Sequence, residues 1–276
     1  PTSRKGELVL SYAQERLWFL EQLNPEGSIY NMPAVVRCHG KLNVELLQQT
    51  LNLLCQRHDI FRTVFIESQG KVHQQVHDDL PLPLEITDLT QHFHAENAVL
   101  QVIQDEAVIP FELNKSVVRA RLIRIDEQQH VFILTAHHII SDGWSIGLII
   151  REFAESYLAM TQNRKVKLAD LSIQYADYAA WQRQWLQGDV LNKQLDYWKK
   201  QLQNSPAIIS IPTDKPRPSV STNQGATLTF KIPSVLGKAL INLSRESGST
   251  LFMTLLTSWN ILVSRYTGQQ DICIGT

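Results

Sequence analysis

The chain has 276 residues, with 26 Lys or Arg against 27 Asp or Glu and a formal net charge of −1. This length accommodates one large domain or two modest ones. The balanced charge argues against the overall basic excess typical of nucleic-acid-binding proteins. Apolar residues make up 43% of the chain, which supplies a sizeable core and argues against intrinsic disorder. We therefore predict a globular protein without a nucleic-acid partner.

The three cysteines, Cys38, Cys55 and Cys273, are far apart and form no C-x-x-C pair. This pattern argues against a disulfide framework or a zinc ribbon and fits a reducing compartment. The sequence contains no apolar run long enough to cross a bilayer, and residues 1–10 lack the features of a signal peptide. We therefore expect a cytoplasmic location and no membrane partner. Because the sequence does not begin with Met, we also expect it to be a piece of a longer protein.

The first half of the sequence alternates between helical and strand patterns. Ser11 and Gln14 have the spacing of a capping box, which predicts a helix that buries Ala13, Leu17 and Leu20. The elements predicted after it are a strand at 33–39, a helix at 44–57, a strand pair at 60–66 and 71–77, a helix at 94–107, strands at 117–125 and 130–136, and a helix at 144–160.

The polar segment 161–170 is interpreted as a joint between two subdomains. The elements predicted after it are helices at 173–187 and 189–203, an irregular proline-containing segment at 205–225, a strand at 226–232, helices at 234–247 and 250–266, and the start of a strand at 271–274. This mixture predicts an α/β or α+β fold with at least two lobes. Because the sequence ends directly after a strand pattern, we expect the physical domain to continue beyond residue 276.

The densest group of chemically active side chains is the run A-H-H-I-I-S-D-G-W-S at residues 136–145. It lies between an apolar strand pattern and an amphipathic helix, where side chains and backbone amides can converge on a ligand. Histidine exchanges a proton near neutral pH. Asp142 can orient a histidine ring, and Gly143 permits a backbone turn that a side chain would strain. The run therefore indicates a catalytic site.

Two other interpretations of this run are weaker. A single histidine after a strand is often structural, but two adjacent histidines followed by Asp-Gly at this spacing rarely occur by chance. A metal site would use His137, His138 and Asp142 as ligands. Adjacent residues of a strand point to opposite faces, however, so both rings rarely reach one ion. We predict neither a metal nor a bound cofactor.

The run also matches H-H-x-x-x-D-G, the signature of the condensation domains of nonribosomal peptide synthetases. These domains belong to the chloramphenicol-acetyltransferase-like superfamily of CoA-dependent acyltransferases. Four further segments resemble the family's other motifs in the family's order: S-Y-A-Q-E-R-L-W at 11–18, R-H-D-I-F-R-T-V-F at 57–65, Y-A-D-Y-A-A-W at 175–181 and the cut-off D-I-C-I-G-T at 271–276. Matches therefore extend from residue 11 to the last residue.

The resemblance implies a chloramphenicol-acetyltransferase-like fold of two lobes. The N-terminal subdomain, with the H-H-x-x-x-D-G motif, is expected at 1–170, and the incomplete beginning of the C-terminal subdomain at 171–276. The implied reaction is acyl transfer that joins an aminoacyl or peptidyl thioester to an aminoacyl thioester through an amide bond. Both substrates are expected on 4′-phosphopantetheine arms of upstream and downstream carrier domains, next to an adenylation domain. The domain itself is expected to bind no cofactor.

The resemblance points to the second histidine of the motif as the reacting residue. We expect His138 to contact the attacking amine, as a general base or as a hydrogen-bond partner that orients it. His137 is expected to point away from His138 and to serve the structure. The sequence leaves the choice between a base and a positioning role open.

The remaining motif residues are expected to support this histidine. Asp142 is expected to pair with an arginine, for which Arg62 is one candidate and a residue beyond position 276 is another. Gly143 is expected to begin a helix whose free backbone amides face the developing oxyanion. Trp144 and Ser145 complete the motif and are expected to contribute structural support.

The motif segments at 11–18 and 140–145 resemble the type that joins an L-configured donor to an L-configured acceptor. Starter domains that accept a fatty acyl donor have similar motifs, so starter-type N-acylation remains an alternative. A catalytically silent docking platform is a second alternative, which the intact His137, His138, Asp142 and Gly143 disfavour. A soluble acyltransferase that uses acyl-CoA and a membrane glycerolipid acyltransferase with an H-x-x-x-x-D motif fit the other segments less well.

Overall fold

The computed structural model describes residues 3, 6–24, 27–216, 219 and 228–275. Contacts between residues divide the chain into two compact units, one that ends at Val190 and one that begins at Leu191. The histidine motif lies in the first unit. No helix within the described ranges combines the length and apolar character needed to span a membrane.

The first unit contains the predicted helices and strands in the predicted order, together with a strand at Leu84–Asp88 that was not predicted. Its elements are α1 (Tyr12–Leu23), β1 (Asn31–His39), α2 (Val44–Arg57), a short 3-10 helix (Asp59–Arg62), β2 (Thr63–Ser68), β3 (Lys71–Val76), β4 (Leu84–Asp88), α3 (Ala95–Val108), β5 (Val118–Arg124), β6 (Gln129–His137), α4 (Gly143–Thr161) and α5 (Tyr175–Trp185). The next helix, α6 (Gly188–Gln201), continues into the second unit.

Four strands form the sheet that carries the histidine motif, in the order β1-β6-β5-β4. β6 pairs antiparallel with β1 and β5, whereas β4 pairs parallel with β5. Apolar side chains cover β6 on both faces: Phe132 and Leu134 belong to the main core, and Val131 and Ile133 to a second cluster with residues of α3. A strand that is buried on both faces has a continuous run of apolar residues in its sequence. The apolar run of β6 ends directly at the histidines.

The predicted hairpin between 60–66 and 71–77 is confirmed as the pair β2–β3. Gln69 and Gly70 connect the strands with positive φ angles of 53° and 73°. Two consecutive residues of positive φ are what a two-residue hairpin turn requires. The first strand begins only at Thr63, since Asp59–Arg62 form the 3-10 helix.

The predicted capping box of α1 is confirmed, and its predicted buried face is confirmed at Leu17 but wrong at Ala13. Ser11 accepts a hydrogen bond from the Gln14 N–H and the two residues form the reciprocal box. The residues that α1 buries are Gln14, Leu17 and Glu21, whereas Ala13 is exposed. The buried polar residues find partners inside the protein, since Gln14 Nε2 donates to Gln74 Oε1 at 3.2 Å.

Helix α5 is hydrogen-bonded to the start of α1. The hydroxyls of Tyr175 and Ser11 are 3.0 Å apart, and Arg183 Nε donates to the Leu10 carbonyl at 2.7 Å. These bonds place α5 in the first unit, so the contacts divide the chain at Val190 rather than at the polar segment 161–170. The subdomain boundary at residue 170 that the resemblance implies stays a prediction.

The second unit contains α7 (Ser234–Glu246) and α8 (Leu251–Thr267), both close to their predicted bounds. Of the strand predicted at 226–232, residues 226 and 227 lie outside the described residues, and residues 228–232 are not in a strand. Residues 271–274 are not in a strand either. The described part of this unit contains no strand with which residues 228–232 or 271–274 could pair. A strand without such a neighbour leaves its backbone N–H and C=O groups without hydrogen-bond partners.

Candidate active site

His138 follows the last residue of β6, in the turn that leads into α4. Its backbone N–H donates to the carbonyl of Tyr30 at 2.8 Å, which fixes the turn against the residues before β1. Its side chain is exposed and lines a cavity of about 340 Å³. The cavity walls come from the beginning of α1, the residues around the 3-10 helix, the motif turn and the beginning of α5.

In contrast to the exposed His138, His137 is buried, with only 1% of its surface exposed. Its Nδ1 accepts a hydrogen bond from the Ile139 N–H at 3.0 Å, so Nε2 carries the hydrogen and faces Glu21 Oε2 at 3.4 Å. Burial, together with the nearby charge of His138, lowers the pKa of His137 to about 4. Burial also raises the pKa of Glu21. His137 is thus a neutral, buried residue at neutral pH, and it is directed away from the cavity that His138 lines.

Asp142 caps α4 instead of pairing with Arg62. Its Oδ1 accepts hydrogen bonds from the N–H of Ser145 at 2.8 Å and from the Ser145 hydroxyl. These bonds from Ser145 hold the pKa of Asp142 below its ordinary value. Arg62 donates to Asp59 at 2.9 Å and to the Cys55 carbonyl at 2.7 Å. The expected Asp142–Arg62 pair is therefore wrong, because Arg62 secures the end of α2 to the 3-10 helix.

The N-terminus of α4 differs from the expectation in three further respects. Gly143 begins the helix without a positive φ, and a Cβ built there meets no atom within 4 Å, so a side chain would not strain the turn. The N–H group of Ser145 hydrogen-bonds Asp142, so it is not free for an oxyanion. The Trp144 side chain is 81% exposed and packs too little to give the expected support.

A second histidine lines the same cavity, and sequence reasoning did not assign it to the site. His58 Nε2 lies 2.7 Å from Glu152 Oε2, and Arg57 Nε donates to the same oxygen at 3.0 Å. Burial raises the pKa of Glu152, but the hydrogen bonds from Arg57 and His58 outweigh it, so this pKa lies below its ordinary value. His58 belongs to a recognised motif, but no local pattern pairs it with a residue of α4.

The three motif residues considered as metal ligands do not converge. His137 is directed to Glu21, His138 lines the cavity, and Asp142 caps α4. Among the residues that the structure describes, no group of three His, Cys, Asp or Glu side chains is arranged to hold a metal ion.

Comparison with known proteins gives a consistent result. The sequence profile described as "Condensation domain" matches residues 4–276. Malpibaldin synthetase from Mortierella alpina is 43% identical over 279 residues, which cover 99% of this chain and 5% of that protein. The chain thus spans only a small part of the length of such curated relatives.

Solved structures with the same fold include the first condensation domain of the calcium-dependent antibiotic synthetase in complex with a substrate analogue. It has a TM-score of 0.83 and 20% identity, over 97% of this chain and 62% of that one. The X-domain from teicoplanin biosynthesis, in complex with OxyB, has a TM-score of 0.81 and 25% identity, over 96% of this chain and 58% of that one. These matches confirm the predicted chloramphenicol-acetyltransferase-like fold over nearly all of this chain.

Proposed function

Because this chain belongs to the condensation domains of nonribosomal peptide synthetases, a family of amide-forming acyltransferases, we propose that it forms a peptide bond. The donor is an aminoacyl or peptidyl thioester, and the acceptor is the α-amine of an aminoacyl thioester. Each substrate is carried on the 4′-phosphopantetheine arm of a carrier domain, upstream for the donor and downstream for the acceptor. An adenylation domain of the same synthetase is the expected further partner.

The observation that carries this proposal is the placement of His138. The ring is exposed to the cavity at the end of a strand that is buried on both faces, so the backbone beneath it is firmly held. A fixed position matters because holding two reactants in the correct geometry can remove a large part of a reaction barrier. We assign His138 to contact with the attacking amine.

The reaction itself conserves protons. The amine nitrogen bonds to the thioester carbonyl carbon, the carbon–sulfur bond breaks, and the proton lost by nitrogen ends on the departing sulfur. An α-amine has an ordinary pKa of 7.7–8.0, so much of it is protonated at pH 7 and must lose a proton before it attacks. The site therefore has to place the amine, accept a proton from it and accommodate negative charge on the carbonyl oxygen.

The test uses the full-length gene product. Two carrier proteins are loaded with aminoacyl thioesters, and the dipeptidyl thioester is followed by mass spectrometry for the parent and for His138→Ala. We expect product from the parent and a loss of about 100-fold or more in the variant, since misplacing a reactant can cost about 100-fold. His39→Ala, a change on β1 outside the cavity, is the matched control.

Absence of product with folded parent protein would refute the proposed function. Equal rates for the parent and His138→Ala would keep the function and refute the role of His138.

For the finer type, we propose an L-configured donor and an L-configured acceptor, since residues 11–18 and 140–145 resemble that type. The same assay compares carriers loaded with an L-aminoacyl, a D-aminoacyl and a fatty acyl donor. A preference for the L-aminoacyl donor is expected. A preference for the fatty acyl donor would instead assign the chain to starter-type N-acylation.

A docking platform is the second candidate function, and the likeness to the X-domain that forms a complex with OxyB favours its consideration. Under this alternative the chain would bind carrier proteins and a tailoring enzyme without turnover. Retained carrier binding together with no amide product from folded protein would support it.

A further inference from the structure

The cavity contains a carboxylate–histidine pair that the proposed role of His138 does not use. Glu152 on α4 hydrogen-bonds His58 Nε2 at 2.7 Å, and the His58 ring lines the cavity beside His138. Since the pKa of Glu152 lies below its ordinary value, its carboxylate is ionised at neutral pH and can only accept. Nε2 of His58 is therefore the donor, and Nδ1 is the nitrogen left for a ligand.

The surroundings of His58 hold its ring in one orientation. Glu152 is itself fixed by Arg57, whose Nε and Nη2 donate to its two oxygens at 3.0 and 3.3 Å. The His58 and Phe61 rings form a T-shaped contact, with centroids 5.9 Å apart. Within the described residues, Nδ1 of His58 makes no hydrogen bond. A histidine whose one nitrogen is held by a carboxylate while the other is open is the arrangement of an oriented general base.

His138 lacks such a partner. Within the part of the chain that the structure describes, its ring makes no side-chain hydrogen bond to a carboxylate, because Asp142 is engaged by Ser145. The two histidines of the cavity thus differ: one is oriented by a carboxylate, and the other is exposed without one. This difference suggests separate tasks for the two rings.

We propose that His58, oriented by Glu152, is the general base that takes the proton from the α-ammonium of the acceptor. This inference rests on the proposed function and refines its chemistry. Nδ1 of His58 takes one proton from the α-ammonium and releases it to water, and the neutral amine held by His138 then bonds to the thioester carbon. As the carbon–sulfur bond breaks, the nitrogen loses a second proton, which His58 passes to the departing thiolate, so the amide nitrogen keeps one hydrogen. No other reactant is consumed, and His58 returns to its starting form.

Several charged or ionisable groups contact His58, bond its partner Glu152 or line the same cavity. They are Glu152 on α4, Arg57 on α2, Arg16 on α1, His138 and Asp142 in the motif turn, and Tyr175 on α5. Of these, Arg57 and Asp142 are paired, with Glu152 and Ser145 respectively.

The experiment compares the full-length parent with His58→Gln at pH values from 6.5 to 9.5. A glutamine amide can replace Nε2 as a donor to Glu152, but it cannot accept a proton. We expect the rate to fall about 100-fold at pH 7, the usual contribution of a positioned base. At pH 9 most of the α-amine is already neutral, so the deficit should shrink to less than about 10-fold. The unfolding midpoint should remain that of the parent.

Two further variants complete the experiment. Glu152→Gln removes the orienting charge and should give a smaller loss, about 10-fold, that also shrinks as the pH rises. This variant tests the inference if His58→Gln does not fold. His73→Gln is the matched control. His73 is a partly buried histidine on β3, it lies beside Glu7, and it is outside the cavity. This variant should retain the parent rate and pH profile.

A parent-like rate in His58→Gln would overturn the inference and leave the proposed function intact. So would an equal loss at every pH, which would mean that the ring only positions the substrate. Absence of amide product from the parent itself would instead refute the proposed function.

Discussion

His137 and His138 are neighbours in the sequence but have opposite physical roles. The alternation of side chains along β6 sends one ring into the core and leaves the other in the cavity. The buried ring is neutral and accepts a hydrogen bond from the turn that carries its neighbour, through the N–H of Ile139. His137 thus stabilises the position of His138, and it does so only while it stays unprotonated.

This dependence predicts how stability changes with pH. The folded-state pKa of His137 is about 4, below the ordinary 6.5. Between pH 4 and pH 6.5, the unfolded chain therefore binds a proton at this residue that the folded chain does not. Stability is therefore complete above about pH 6.5 and declines as the pH falls towards 4. At 1.36 kcal/mol per pKa unit, the free energy of unfolding should drop by roughly 2 kcal/mol between pH 7.5 and 5.0, as measured by urea denaturation.

His137→Gln provides the control for this prediction. The variant should be less stable than the parent at pH 7.5 but should lose this dependence. It should retain the smaller contributions of two other groups. Burial lowers the pKa of His130, which acts in the same direction as His137, whereas the raised pKa of Glu21 favours the folded state at low pH. An unchanged slope in the variant would assign the acid sensitivity to other groups.

At the scale of the element, α4 depends on its N-terminal cap. Asp142 and Ser145 form a reciprocal capping box, which satisfies backbone N–H groups that the helix itself cannot bond. The carboxylate also lies at the positive end of the helix dipole, where negative charge is favourable. Asp142 therefore stabilises α4 in this structure, although it also lines the cavity.

Two substitutions of Asp142 separate capping from charge. Asp142→Ala should lower the free energy of unfolding by about 1 kcal/mol, whereas Asp142→Asn should retain most of the stability, because Asn caps helices as well as Asp does. Thermal and urea unfolding of both variants would measure this difference. Equal destabilisation by Ala and Asn would contradict the capping role and point to the charge.

The elements with a clear local pattern could be predicted from the sequence. α2 has the predicted bounds, and the hairpin turn at Gln69-Gly70 lies at its predicted place. β4 was missed because Pro81 and Pro83 directly precede it and interrupt the strand pattern. The two strands predicted in the second unit have apolar sequences but no described partner, and pairing is a property that a local pattern does not contain.

The candidate site was predictable to the same extent. The strand-to-helix turn and the opposite directions of the two histidines follow from local alternation. The partners of these residues do not, because His58 and Glu152 are 94 positions apart and meet only through the packing of α2 against α4. The capping function of Asp142 was visible in the D-x-x-S spacing, but the family motif suggested an arginine partner instead.

At the scale of the whole molecule, the first unit extends through α5. The bonds between Tyr175 and Ser11 and between Arg183 and Leu10 join two segments that are more than 160 residues apart. A chain cut after Asp170 loses these bonds, whereas a chain cut after Val190 keeps them. Since each is worth about 1 kcal/mol, the shorter fragment should be less stable by roughly 2 kcal/mol or more.

Urea unfolding of the two fragments, 1–170 and 1–190, measures this prediction. The longer fragment should unfold in one cooperative transition with the higher midpoint. Equal midpoints would mean that α5 adds nothing to the first unit.

The pairing of β1 with β6 also has a consequence during synthesis. The nearest paired residues of these strands are His39 and Gln129, so the ribosome adds about 90 residues after β1 before its partner begins to appear. At about 5–20 residues per second, β1 waits for roughly 5–20 s with its hydrogen-bonding edges unpaired. The histidine turn comes last in that pair. The site therefore cannot assemble early in translation, and the nascent chain is exposed to mispairing for about half of the time that the first unit takes to be made.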